Sequence, residues 1–156
     1  MQMKKTFNHR QQRGAALIEL ALITPLLLLL TFITTEFGRA MYEYNLVVKS
    51  TRDAVRYLSV QTPGTHIAEA RNLMVYGNTT GTGTPLARGL SLANVPVGSC
   101  CTWQTAGANP LITTVTVRIS SYTFHSLFPS VMGVVFADAN GNIVFSDVTA
   151  TMRAPS

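Results

Sequence analysis

Apolar and polar positions divide this chain into three stretches with different periods. Residues Ala15 to Thr34 read AALIELALITPLLLLLTFIT, a run whose only charge is Glu19. As a helix rising about 1.5 Å per residue the run spans about 30 Å, the thickness of a hydrocarbon core, which predicts a transmembrane helix. From Phe37 to Leu58 the pattern turns amphipathic. Phe37, Ala40, Met41, Tyr44, Val47, Val48, Thr51, Val55 and Leu58 recur at helical spacing, predicting a helix with one apolar face. Arg39 with Glu43, and Lys49 with Asp53, stand at i,i+4 and read as its solvated face. QTPGT at Gln61 to Thr65 breaks the helix. Thr65 is expected to cap a short helix over His66 to Tyr76, ended by Gly77.

In the third stretch the period falls to two. Thr113 to Ile119 alternates as a half-buried strand, and Val131 to Ala137 with Ile143 to Met152 flank DANGN, a good hairpin turn. Tyr122, Phe124, Leu127 and Phe128 are expected beside the first strand. The glycines between Gly77 and Gly89 lack the lysine and spacing of a phosphate loop, so that segment reads as a flexible connector. The fold class expected is α+β: a long N-terminal helix, transmembrane then amphipathic, packed on a small antiparallel sheet of three or four strands. The expected organisation is a basic leader at 1–14, a span at 15–34, an amphipathic stalk at 35–60, a short helix and loops at 61–112, and a sheet region at 113–156.

Charge sharpens the picture. The formal charge of +5 invites a nucleic-acid reading, but Lys4, Lys5, Arg10 and Arg13 fall within the first thirteen positions, which hold no acid. The rest of the chain carries eight basic and seven acidic residues, so no basic face is expected and nucleic-acid binding is excluded. The basic cluster before the apolar run should stay cytoplasmic by the positive-inside bias, placing the remainder across the membrane. The run is too long for a secretory signal and ends at Thr35, Glu36, Phe37, Gly38 and Arg39, a poor cleavage site of that kind. Pro25 removes a backbone donor and predicts a kink or local unwinding. Glu19 is costly in a span, about 2.5–3.5 kcal/mol at the centre and less near the ends, so a partner is expected for it. A shallow position with water access is the simpler alternative.

The octet RGAALIEL, Arg13 to Leu20, resembles the processing site of type IV prepilins, cut after glycine with glutamate as fifth mature residue. The longer stretch RGAALIELALITPLLLLLTFITTEFGRAMYEYNLVVKSTRDAVRYLS, with its EFGR tetrapeptide at Glu36 to Arg39, resembles the TadE-like proteins of the tight-adherence (Flp) pilus system. Those pseudopilins commonly carry an aromatic residue after the glutamate, where this chain has Leu20. The resemblance implies cleavage between Gly14 and Ala15, a new α-amine on Ala15, and a helix-docking role for Glu19. It implies a structural or assembly-directing minor pilin, since major pilins of the system are typically shorter. The implied partners are the prepilin peptidase, the inner-membrane assembly platform, sibling pilin-like subunits and membrane lipid. The implied location is the bacterial inner membrane, single-pass, with a periplasmic C-terminal domain that could enter an extracellular pilus.

Candidate chemistry is sparse. His9, His66 and His125 are scattered without a carboxylate pair at ligand spacing, so neither metal nor other cofactor is expected. Cys100 and Cys101 are adjacent, with α-carbons about 3.8 Å apart, shorter than a disulfide usually spans. They read as a disulfide or structural thiols rather than a redox centre, there being no CxxC and no companion base. There is no GxSxG elbow. No enzyme is expected. Two alternatives stand beside the minor pilin: an uncleaved signal-anchored periplasmic binding module of a secretion or envelope complex, and a membrane-anchored thiol oxidoreductase using Cys100 and Cys101.

Overall fold

A computed structural model describes residues 9–155, with side chains from residue 14 onward. Lys4 and Lys5 of the basic leader, and the side chains of Arg10, Arg13 and His9, lie outside the described residues. Helix α1 runs unbroken over His9–Ser59. Its first part, from Gly14 to Thr35, is mostly exposed, with Pro25, Leu29, Phe32 and Ile33 half-buried, and its second part is buried along one stripe. Thr24, Thr31, Thr34 and Thr35 each turn a hydroxyl back onto the carbonyl four residues earlier, which satisfies those donors without water. The helix continues through Pro25 with no unwinding, Thr24 Oγ1 donating to Leu20 O at 2.6 Å in the turn before it.

The buried stripe of α1 differs from the sequence reading at its membrane end. Val47, Thr51, Ala54, Val55 and Leu58 face the core. Phe37 and Met41 do not: Phe37 is 66% exposed, and the buried residue in that turn is Glu36. Continuing the stripe backwards by sevens and fours from Leu58 through Thr51, Val47 and Glu43 reaches Glu36, Ala40 and Arg39, so the polar residues lie on the inward face. Apolarity alone misplaced the stripe because the turn contains apolar residues on both sides.

After the break at Gln61 to Thr65, α2 covers Ile67–Tyr76 and packs on α1 through buried Ala70, Met74 and Val75. Its N-cap is His66, in the left-handed region and without a side-chain cap bond, not Thr65. Thr65 Oγ1 instead donates to Thr62 O at 2.7 Å. Gly77 ends the helix in the left-handed conformation, its N–H returning to Leu73 O at 3.0 Å. The following loop is pinned rather than slack. Asn78 donates to Thr82 O, Asn72 to Thr79 O, and the Leu86 N–H to Val75 O. Buried Ala87 and Leu90 then enter the core.

A 3-10 turn at Leu92–Asn94 and one helical turn, α3 at Val97–Cys100, lead into β1, Cys101–Ala106. This strand was expected to be loop. It forms one edge of a three-stranded antiparallel sheet with β2, Ile112–Ile119, in the centre and the last strand, Val148–Ala154, on the other edge. Val115, Val117 and Ile119 alternate inward, and Cys101, Ala150 and Val148 stand opposite Val117 and Ile119 in register. That apolar face closes on α1, giving the α+β architecture expected, with a core of Val47, Ala54, Leu58, Met74, Val95 and the inward sheet residues.

The expected hairpin between Val131 to Ala137 and Ile143 to Met152 does not form. Between β2 and the last strand lie two small ribbons: β3, Thr123–His125, pairs with β6, Asn142–Val144, and β4, Ser130–Val131, pairs with β5, Val134–Val135. The last strand is therefore β7. The DANGN turn is present, Asp138 Oδ1 accepting the N–H groups of Asn140 and Asn142. Its outgoing arm splits between β3 and β2 because Asp147, paired to Arg118, bends the chain between Val144 and Val148. Tyr122 and Phe124 are buried as expected, whereas Leu127 and Phe128 leave the first strand and lie against the span, Phe128 meeting Phe32 at 4.8 Å between ring centroids.

Candidate functional site at the two ends of the span

The N-terminal end of the apolar run carries the residues that sequence reading singled out. Gly14, Ala15 and Glu19 are exposed on α1, with Gly14 and Glu19 about 1.4 turns apart. Nothing stands within 4 Å of a side chain added at Gly14. Glu19 makes no hydrogen bond or ion pair among the described residues. Pro25 lines an apolar groove with Leu20, Ala21, Thr24 and Leu28, which Met132 of the β4–β5 turn closes from the side.

At the other end the structure assembles a polar cluster that sequence reading missed. Glu36 is only 7% exposed. Its carboxylate accepts the Leu127 N–H at 3.1 Å, the Ser126 hydroxyl at 3.2 Å and Arg39 Nη1 at 3.0 Å. Arg39 also reaches Glu43 at 3.8 Å and lies over the Phe124 ring, 5.2 Å from its centroid. Glu43 in turn accepts the Tyr122 hydroxyl at 2.7 Å. One row of α1 side chains thus fastens the chain on both sides of β3 to the helix, where the span ends. Burial, reinforced by the hydrogen bond to Glu43 and its negative charge, pushes the Tyr122 phenol far above its ordinary pKa.

Arg39 and Glu43 are therefore not a solvated face. The signal that could have located this cluster was positional. An acid two residues beyond a span, followed three residues later by arginine, has the i,i+3 geometry of a pair and sits at the spot where a domain must attach to its anchor.

The cysteines lie apart from both sites. Cys100 and Cys101 are joined to one another at the junction of α3 and β1, both sulfurs in the core against the sheet. Among the described residues no group of three or more His, Cys, Asp and Glu side chains converges as a metal site.

A family comparison decides how this geometry is read. Residues 14–56 match the TadE-like protein family. That segment begins at the glycine of the candidate processing site, covers Glu19 and the Glu36–Arg39–Glu43 row, and ends within the buried stripe of α1. Over that segment the chain is similar to TadE-like proteins, and the same segment holds the one helix among the described residues long and apolar enough to cross a membrane. No curated protein and no solved structure matches the chain. The TadE-like segment stops before the sheet, so the C-terminal domain is read from its own residues.

Proposed function

We propose that this protein is a non-catalytic, assembly-directing minor pilin or pseudopilin of a tight-adherence pilus, cut by a prepilin peptidase between Gly14 and Ala15. The observation that carries this reading is the division of one continuous helix. From Gly14 to about Thr35 it is apolar and mostly exposed, met only near Phe32 and Pro25 by the segment around Phe128 and Met132; from Glu36 to Ser59 its inward face belongs to a folded domain. A largely uncovered apolar half and a fixed half suit a subunit that sits in a bilayer and then packs among sibling helices.

The local chemistry supports the two assigned roles. Glycine at position 14 costs about 1 kcal/mol of helix stability relative to alanine, which eases the local opening a peptidase needs at that bond. Cleavage exposes the Ala15 α-amine, and a cation of that kind beside Glu19, on the same or a neighbouring subunit, offsets the cost of holding a carboxylate in an apolar environment. The basic leader then remains on the cytoplasmic side and the domain beyond Glu36 is periplasmic. The partners are the peptidase, the assembly platform and sibling pilin-like subunits.

The test is complementation. A strain lacking the chain should lose surface pili and regain them with the wild-type chain but not with Glu19→Ala, which should still insert in the membrane. A photo-crosslinker at Leu22, on the exposed face of the span, should capture a sibling subunit. Normal piliation without the chain, together with an intact leader, would favour the signal-anchored binding module instead.

A further inference from the structure

The C-terminal domain sends one segment back toward the membrane. From Leu127 to Ala137 the sequence LFPSVMGVVFA has no charge. Most of its large side chains lie outside the core: Leu127 is 54%, Met132 66% and Val135 72% exposed. This ribbon lies beside the span rather than pointing into open water. Phe128 packs on Phe32, and at the tip Met132 closes the groove formed by Leu20, Ala21, Thr24, Pro25 and Leu28. The bonds from Ser126 and the Leu127 N–H to Glu36 fix where it departs, one turn above Phe32.

Two features distinguish the ribbon from an ordinary surface hairpin. Its two-residue turn places Met132 (φ 52°) and Gly133 (φ 83°) both in the left-handed region, the geometry for which Asn-Gly is the common solution. A methionine there gives up the favoured polar turn chemistry and supplies an apolar tip. Above the ribbon the side chains turn polar: Arg88, His125 and Asn140 line a groove with Ser126 and Leu127, the two residues bonded to Glu36 where the apolar run of α1 ends. The apolar tip and polar collar share the polarity order of the span itself.

We infer that Leu127 to Ala137 is a second membrane contact, a shallow hairpin anchor that enters the outer leaflet beside the span. The groove that Met132 closes begins at Leu28, four helical residues below Phe32, so the tip descends at least about 6 Å, into the range of depth at which interfacial elements bury their apolar faces. The ribbon's outer edges carry backbone groups that hydrocarbon cannot satisfy, so its flanks stay within reach of interfacial water. This anchor fixes the rotation of the domain about the span, which a single helix leaves free. The inference rests on α1 being the membrane anchor.

The test uses the full chain in phosphatidylethanolamine–phosphatidylglycerol vesicles with one nitroxide label at a time. Because Cys100 and Cys101 are joined, an added cysteine is the free thiol. Labels go at Met132→Cys and Val135→Cys, with Leu26→Cys in the span and Val60→Cys at the far end of α1 as references. All four positions are exposed, so the fold tolerates them. The expected result is that labels at 132 and 135 behave as at 26, relaxed several-fold more by oxygen than by a water-soluble nickel chelate, while 60 shows the reverse. Labels at 132 and 135 that follow 60 while 26 stays in lipid would overturn the hairpin anchor alone. Shielding of 132 and 135 from both reagents would overturn it in favour of a protein partner. A water-accessible label at 26 would overturn both the anchor reading of α1 and this inference.

Discussion

Replacing Glu36 by alanine removes the acceptor on which the membrane end of the domain depends. The wild-type carboxylate holds the Leu127 N–H, the Ser126 hydroxyl and Arg39 while almost wholly buried. A hydrogen bond to a charged group contributes about 1.5–3 kcal/mol, and unpairing a buried donor adds its desolvation cost. Arg39 is 28% exposed, so water recovers part of its loss. The expected penalty is about 2–4 kcal/mol, and it is local, because the core of α1, α2 and the sheet does not use Glu36. Glu36→Gln keeps a neutral acceptor for Leu127 and should cost about half as much. In detergent-solubilised full-length protein, amide exchange at Leu127 and through the β4–β5 ribbon should accelerate by at least about 30-fold in the alanine variant, the equivalent of 2 kcal/mol. Exchange in β2 and α2 should stay unchanged. Equal protection of Leu127 in wild type and variant would refute the claim that this carboxylate fastens the domain.

Other expectations follow from the same contacts. Tyr122 has its phenol raised by burial and Glu43, so the folded state resists ionising it; stability should be full below pH 10, the ordinary value, and fall as pH rises beyond it. Unfolding measured from pH 8 to 12 should show that loss flattened in Tyr122→Phe, at a cost of about 1 kcal/mol at neutral pH from the lost bond to Glu43. Asp138 is held below its ordinary pKa chiefly by the Asn142 backbone N–H, so its contribution is present above about pH 3.8 and lost on further acidification; Asp138→Asn should blunt that acid loss in a pH titration of unfolding. Leu58→Ala empties a fully buried site between α1 and the sheet and should cost about 2–5 kcal/mol in denaturant unfolding. Cys100→Ala with Cys101→Ala removes a ring between neighbours, which constrains the unfolded chain little, so pili should still assemble; their loss would revive the thiol-oxidoreductase reading.

Periodicity and capping made the helices legible, and the sheet less so. A charge-poor run followed by an amphipathic one identified α1 and its division, and Gly77 marked the end of α2 because a left-handed terminus favours glycine. Strand β2 showed itself by alternation with Val115, Val117 and Ile119 inward. Strand β1 did not, since CTWQTA is short, mostly exposed and without a clear apolar alternation, and owes its conformation to pairing with β2. The hairpin expected around DANGN failed for a related reason. The turn was legible locally, but which strands its arms join is a long-range choice, decided by Arg118 holding Asp147 and by β2 offering an unpaired edge to Val148–Ala154. At the candidate sites, Gly14, Ala15 and Glu19 were legible as a linear motif. The Glu36 cluster was not, because its partners Ser126 and Leu127 come from about 90 residues away.

The central claim is that the apolar half of α1 is a processed pilin-type helix. Its most direct test is the mass of the N-terminal peptide recovered from membranes with and without the prepilin peptidase, with Gly14→Ala as control. The account predicts a chain beginning at Ala15 only when the peptidase is present and Gly14 is intact. A leader still joined to Ala15 in the presence of active peptidase would contradict it.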